Sequence, residues 1–290
     1  MPVECNINEG ACIVSEPPRA RGAEPELDIV FATDPICSAC WVMEPAWRKF
    51  RFHLGKRIRV HYIYGGLLPG WAGFSDAGAG IRKPSDVAVH WAEVASRSRQ
   101  PLDGSVWNVD PPSTSYSACI ASLAARLLAP EKEEAFVRRV RRAIFLEAKN
   151  VARPEHLELC AAETGLDVNL FRVLLASGTP KRLFEQELAE MRRLPVRGFP
   201  TLIMKPADGA GIVLFGTQSY QTLVSAFQRL VTTPFDAKSP TASEGLSAYG
   251  DGTDAEFGEL LEVDNTALDG ALARANGRPE RLLGGVLWRG

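Results

Sequence analysis

The sequence predicts an α/β protein in which a strand, helix, strand unit and a hairpin-plus-helix unit bracket a long helical middle, with a small appendage at the C-terminus. Three observations carry this. Leu27-Asp28-Ile29-Val30-Phe31-Ala32 is a short β-prone run that stops at the breaker Asp34-Pro35. From Leu67 to about Leu194 helix punctuation recurs with no convincing strand. Thr201-Leu202-Ile203-Met204-Lys205 and Ile212-Val213-Leu214-Phe215 then flank Asp208-Gly209-Ala210-Gly211, a hairpin pattern.

The elements follow in order. After the buried strand at 27–32, Ser38 to Leu54 places Trp41, Trp47, Phe50 and Leu54 near helical spacing and ends at Gly55, which suits a helix C-terminus. Ile58 to Tyr64 is a second strand that stops at Gly65-Gly66, so the opening is a βαβ unit with parallel strands. In the middle, Ser85 precedes an apolar-spaced run through Trp91 and Val94, and Asp110-Pro111-Pro112 is a break. Further helices are predicted over 115–129, 132–149, 154–164, 167–177 and 180–193, with Gly165 and Gly178 as stops and Asp167 and Thr179 as N-caps. Ser219 caps a last amphipathic helix carrying Leu223, Phe227 and Leu230. Four regions result: a flexible N-terminal segment (1–26), a main domain (27–231) with its helical insertion at about 67–194, a Thr, Pro, Ser and Gly-rich linker (232–252), and a small module (253–290). In that module two helices, 253–263 and 264–276, precede a strand at 282–288, a winged-helix-like pattern.

Composition narrows the function classes. A chain of 290 residues, 46% hydrophobic and 23% charged with a net charge of −2, buries a real core and has no basic excess that would suit general nucleic-acid binding. Met1 to Glu26 carries five glutamates rather than a basic start and an apolar stretch, so it does not match a secretory leader. No apolar run approaches the ~20 residues that cross a bilayer. The expectation is a soluble, cytoplasmic protein with neither nucleic acid nor membrane as partner. Six scattered cysteines do not make a disulfide-stapled scaffold.

The chemistry centres on Cys37-Ser38-Ala39-Cys40. Thiol–disulfide exchange needs a thiolate that attacks and a second thiol that resolves the mixed disulfide. A Cys-x-x-Cys at a helix start supplies both, because free N–H groups and the helix dipole favour an anion at the first position. Such settings lower a cysteine pKa from about 8.5 to roughly 3.5–7.5. Cys37 is thus the expected nucleophile and Cys40 the resolving thiol. Ser38-Ala39 brings no imidazole or basic group, which tilts the expectation towards a reductase or isomerase rather than a strong oxidant.

Blander readings stand beside this one. A structural zinc site needs four ligands, and the only other suggestive pair is His156 and Cys160, so no metal is expected. Cys119 and Cys160 read as small core hydrophobes, and Cys5 and Cys12 as exposed bystanders or extra resolving thiols. Gly65-Gly66 reads as turn chemistry. Arg138-Arg139-Val140-Arg141-Arg142 reads as the solvated face of an amphipathic helix whose buried stripe is Phe136, Val140 and Ile144. Trp41 and Trp47 read as core, with Trp41 also able to line a substrate groove.

Pro45, five residues after Cys40, and Arg197-Gly198-Phe199-Pro200-Thr201 before a strand resemble the kinking proline and the cis-proline loop of the thioredoxin superfamily. With the long helical insertion, the chain resembles the DsbA-like thioredoxin family over roughly 27–231. Asp34-Pro35-Ile36-Cys37-Ser38-Ala39-Cys40-Trp41, Gly65-Gly66-Leu67 and Asp110-Pro111-Pro112-Ser113-Thr114-Ser115-Tyr116 are similar to its cytoplasmic FrnE-like branch and to the adaptor family that delivers Spx to the ClpXP protease. The resemblance implies a thioredoxin-like fold with Pro200 cis and facing the cysteine pair. It implies that Phe199 presents backbone groups to an extended substrate, that Asp34, Pro35, Ser38 and Ala39 support the site, and that no cofactor is required. A disulfide-containing protein or small thiol would be the substrate, and a thiol reductant or glutathione the redox partner. Two alternatives stay open: a protein-binding adaptor with the cysteines as a sensor, and a glutathione-dependent isomerase of the kappa-class and hydroxychromene-carboxylate group, whose members generally lack the second cysteine.

Overall fold

The computed structural model describes residues 25–235 and 237–290 in full and the backbone alone of 3–6 and 11–14. Strands β1 (Val3–Asn6) and β2 (Ala11–Val14) pair antiparallel. The rest of the segment expected to be flexible (1–26), up to residue 24, and the side chains of Cys5 and Cys12 lie outside the described residues.

A four-stranded sheet organises the main domain. β3 (Leu27–Thr33) is central, parallel to β4 (Ile58–Tyr64) and antiparallel to β5 (Thr201–Pro206), which pairs antiparallel with β6 (Ile212–Phe215) in the order β4-β3-β5-β6. The register runs from Leu27 opposite Ile58 to Thr33 opposite Tyr64, so the C-terminal ends of both strands open on the same side. The predicted helix at 38–54 divides at Met43 into α1 (Ser38–Val42) and α2 (Glu44–Leu54). Pro45 sits in the first turn of α2, where its missing N–H costs nothing but where it cannot bond back into α1. After β6, the last helix of this domain, α10 (Tyr220–Leu230), starts at Ser219, whose hydroxyl accepts from Thr222 N.

The insertion holds α3 (Pro84–Arg97), α4 (Val106–Val109), α5 (Tyr116–Leu128), α6 (Glu133–Phe145), α7 (Pro154–Glu163), α8 (Val168–Ala176) and α9 (Thr179–Met191). Among the described residues its only β pairing is the isolated Asp76–Ile81 bridge. Local details differ from expectation. Lys83, not Ser85, caps α3, because Pro84 opens the helix and the Asp86 carboxylate accepts from Lys83 N. Asp167 caps α8, accepting from Asn169 N and Leu170 N. Thr179 lies inside α9 rather than capping it, since Gly178, at φ 70°, makes the reversal that precedes the helix.

Residues 242–252 are not linker. α11 (Ala242–Tyr249) starts at a capping box between Thr241 and Glu244. It is followed by β7 (Asp251–Thr253), α12 (Asp254–Leu261), α13 (Asn265–Arg274), β8 (Arg278–Arg281) and β9 (Val286–Arg289), with the sheet ordered β7-β9-β8. The strand expected from 282 begins only at 286, after the turn between β8 and β9. Leu246, Phe257, Leu260, Leu268, Leu272 and Trp288 form a core of their own.

This module docks on α2 and α6 through buried charge. Arg48 and Arg138 each place a guanidinium nitrogen 2.7 Å from Glu256, Lys49 reaches Glu262 at 2.6 Å, and Arg142 pairs with Asp251. The reading of the arginine run as a solvated face is therefore overturned: Arg139, Arg141 and Arg142 are buried. Their acidic partners, Glu44, Glu147, Glu163 and Asp251, arrive from other parts of the chain and neutralise a face that is basic only when the helix is viewed alone.

Candidate active site

Cys37 is the N-cap of α1, with extended backbone (φ −74°, ψ 114°), and its Sγ accepts the N–H of Cys40 at 3.4 Å. The β3 strand delivers it: Asp34 O accepts Cys37 N at 3.2 Å across the turn. From the far end of the chain, the loop before β5 brings the Phe199 carbonyl to 3.6 Å from Cys37 Sγ, which donates to it. The Phe199–Pro200 peptide is cis. Pro200 O accepts Gly216 N at 2.8 Å, and Thr217 Oγ1 donates to Ala39 O at 3.2 Å, so the start of α1, the proline loop and the turn after β6 are tied together.

The glycine pair has a packing reason beyond turn chemistry. A Cβ on Gly65 would lie 1.8 Å from the Phe199 ring, so a bare backbone is what lets that ring sit beside the cysteines. Gly66, at φ 62°, makes the left-handed turn.

Asp34 is fully buried. Its Oδ1 accepts from Ile36 N at 3.0 Å, and its Oδ2 accepts from Leu67 N at 2.7 Å, Ser115 Oγ at 2.9 Å and Cys119 Sγ at 3.4 Å. One carboxyl therefore pins the cysteine turn, the glycine loop and the start of α5. Burial raises its pKa, and these four donors oppose the rise without cancelling it.

Behind Cys40 stands a cation that the sequence reading placed in solvent. Arg141 donates through Nη2 to Thr33 Oγ1 at 2.6 Å and pairs through Nη1 with Glu44. The two thiols titrate as a pair, so the first proton lost belongs to both sulfurs. For Cys40, burial opposes ionisation, but the hydrogen bond from Cys37, the Arg141 charge and the Thr33 hydroxyl outweigh it and bring its pKa below the ordinary thiol value. The hydrogen bond with Cys40, then burial, push Cys37 well above that value once its neighbour carries the charge. Charge thus leans towards Arg141, whereas access favours Cys37. Cys37 borders the open pocket beside the site, and Cys40, 1% exposed, does not.

Of the remaining expected site residues, Pro35 and Ser38 are buried and Ala39 is half-buried at the cleft. Trp41 is corrected: it is fully buried, its Nε1 donates to Pro101 O at 2.7 Å, and its ring stacks on Phe145 with Arg138 over the face, so it lines no substrate groove. Cys119 and Cys160 are buried, and burial pushes the Cys160 thiol up to about 12. Among the described residues no three His, Cys, Asp or Glu side chains cluster as metal ligands, and His156 Nδ1 meets Asn150 O at 2.8 Å. Arg141, Ser115 and Cys119 were missed as site support. For Ser115 a signal existed in the Pro-Pro-Ser-Thr-Ser-Tyr run, while Arg141 was hidden in the basic run.

Comparison with known proteins agrees with this architecture. The chain is 28% identical over 232 residues to a ClpXP adapter protein SpxH of Halalkalibacterium halodurans, covering 78% of this chain and 76% of that one. Its fold matches a structure of a putative protein disulfide isomerase from Nitrosomonas europaea (TM-score 0.59, 19% identity, 70% of this chain and 97% of that one). It also matches the cytosolic disulfide reductase DsbM from Pseudomonas aeruginosa (TM-score 0.56, 24% identity, 70% and 100%). Among the described residues no helix is long and apolar enough to cross a membrane. The family model Thioredoxin_5, described as thioredoxin, matches residues 30–225, the span that carries β3, the cysteine turn, the helical insertion and the proline loop, and the chain belongs to that family.

Proposed function

We propose that the protein is a thiol–disulfide oxidoreductase, leaning towards reduction or isomerisation, in which Cys37 attacks and Cys40 resolves. The observation that supports this best is the placement of Cys37 Sγ between the Cys40 N–H and the Phe199 carbonyl, at the border of an open pocket. In the reductive direction the Cys37 thiolate attacks one sulfur of a substrate disulfide, forming a mixed disulfide as the other sulfur leaves as a thiolate. Cys40, deprotonated beside Arg141, then attacks Cys37 Sγ and expels the second substrate thiolate. The dithiol has lost two electrons and two protons, the substrate has gained them, and a thiol reductant restores the pair.

Trapping with Cys40→Ser tests this: the variant accumulates a mixed disulfide at Cys37 that dithiothreitol releases, and Cys37→Ser lowers exchange more than 100-fold. Undiminished insulin reduction by Cys37→Ser would overturn it.

A second reading has its own support in the relatives named as ClpXP adapters. Under it the module at 242–289, with the helix, strand, helix, helix, strand, strand order of a winged helix, presents a client, and the cysteines act as a sensor. Client capture that survives loss of both Cys37 and Cys40, with no turnover in exchange assays, would favour it. Glutathione-dependent isomerisation is the weaker alternative, because Cys40 is present and stands against Arg141.

A further inference from the structure

Beside Cys37 opens a pocket of about 300 Å³, walled by Leu67, Leu68, Trp71, Ile81, Trp91 and Trp107 and bordered by Phe199. The wall is preformed. Trp91 packs edge-to-face on Trp107 at 5.4 Å and against Phe145 at 4.5 Å, and Trp71 meets Trp107 at 6.1 Å. Among the described residues that line it, Asp76 and His90 are the ionisable side chains besides Cys37, and none is a lysine or arginine. A second trough of about 430 Å³ shares Ser38, Ala39, Ala79 and His90 with the first and adds Glu93, Arg97, Ser98 and Thr217. The shared residues border both compartments, so the two lie side by side at the active-site dipeptide. Among the described residues lining the second trough the arginine is Arg97, an exposed side chain that pairs with Glu93 at 3.2 Å.

We propose that this cleft selects a polypeptide disulfide with a large apolar or aromatic residue next to the reacting cysteine, that residue seating against Trp71, Trp91 and Trp107 while polar neighbours follow the Ser98 side. Glutathione disulfide is excluded in proportion to its charge. This deepens the exchange reading above and rests on it. Each half of glutathione disulfide carries two carboxylates, and one placed in the apolar compartment loses its hydration without meeting a cation among the described residues that line it. An apolar side chain gains there, and a second compartment adjoining the first offers room for the neighbouring residues of an extended chain.

The test uses the full chain, pre-reduced, in single turnover, so its own dithiol supplies both electrons. Two synthetic peptides differ only in carrying Phe or Glu beside a cysteine held in a mixed disulfide with 2-mercaptoethanol. The Phe peptide is expected to oxidise the protein at least about tenfold faster than the Glu peptide, with glutathione disulfide no faster than the latter. Leu67→Glu, a change at a partly exposed wall residue, is expected to bring the Phe-to-Glu ratio to about one. Phe74→Glu, at another residue lining the same pocket, gives the same reading should the first variant not fold. Equal rates for the two peptides, or a glutathione disulfide rate matching that of the Phe peptide, would overturn the selectivity while leaving exchange intact. Failure of every disulfide to oxidise a protein whose thiols still react with iodoacetamide would overturn the exchange reading itself.

Discussion

The cysteine site and the seam where α2 and α6 meet the C-terminal module are built from different groups. At the cysteine site three loops meet through neutral backbone groups and one carboxyl, Asp34. At the seam under the C-terminal module, Arg48, Arg138 and Arg142 meet Glu256 and Asp251 with almost no solvent between them. α6 serves both: Arg138 and Arg142 turn to the module, and Arg141 turns to Thr33 and Glu44 behind Cys40. The difference teaches where each region is vulnerable. The site depends on the placement of backbone groups around the Asp34 carboxyl, with one cation, Arg141, behind Cys40, and the seam depends on every buried charge keeping its partner.

Removing one partner at the seam should therefore have the largest effect on stability. Glu256 is 2% exposed, and its loss leaves the Arg48 and Arg138 guanidiniums facing one another in the interior. Glu256→Ala is expected to lower unfolding free energy by about 3–5 kcal/mol in denaturant titration, and to leave the pH profile of Cys37 and Cys40 alkylation unchanged. A shifted alkylation profile would show that the seam and the site are coupled through α6 and would break the comparison.

These two regions also differed in how legible they were. The site could be read in advance because its parts carry local signatures: a cysteine pair after a strand, Pro45 behind it, and Phe199-Pro200 ahead of β5. Asp34 was visible as part of a turn, but its bonds to Ser115 and Cys119 were not, because they depend on where α5 packs. At the seam nothing local helps. Arg138 to Arg142 read as a wet face, since their counter-charges sit up to 118 residues away, and Thr241 with Glu244 turned a composition that looks like linker into a capped helix. Long-range charge pairing has no period, so periodicity reports the core stripe and is silent on which polar face is covered.

Arg141 sharpens the comparison from the side of the site. A cation beside a thiolate favours the charged form, so taking it away raises the pKa of the pair's first ionisation. Replacing Arg141 by Met together with Glu44→Gln removes both charges and avoids stranding Glu44. The first step of the alkylation profile should move to higher pH, with a roughly three- to tenfold slower iodoacetamide reaction at pH 7. Cys37→Ser in the same background identifies the step as one of the pair. A profile that does not move would mean that the Cys40 N–H and the helix start alone hold the thiolate.

The smallest effect belongs to a charge pair at neither region. Glu26 pairs with Arg57 at 2.5 Å on the rim of the sheet, and hydrogen bonds from Arg57 and Thr233 hold its pKa down near 2. Its folded pKa is depressed, so whatever stability it contributes is present above the ordinary carboxylate range and is lost as pH falls towards 2. Solvent screens this partly exposed pair, which keeps the contribution within about 1 kcal/mol. Glu26→Gln should accordingly change the denaturation midpoint slightly at pH 7 and by less as pH falls through about 2. A loss comparable to that of Glu256→Ala would mean that the cost of breaking an ion pair in this protein is not set by burial, and the contrast between the seam and its surface would fail.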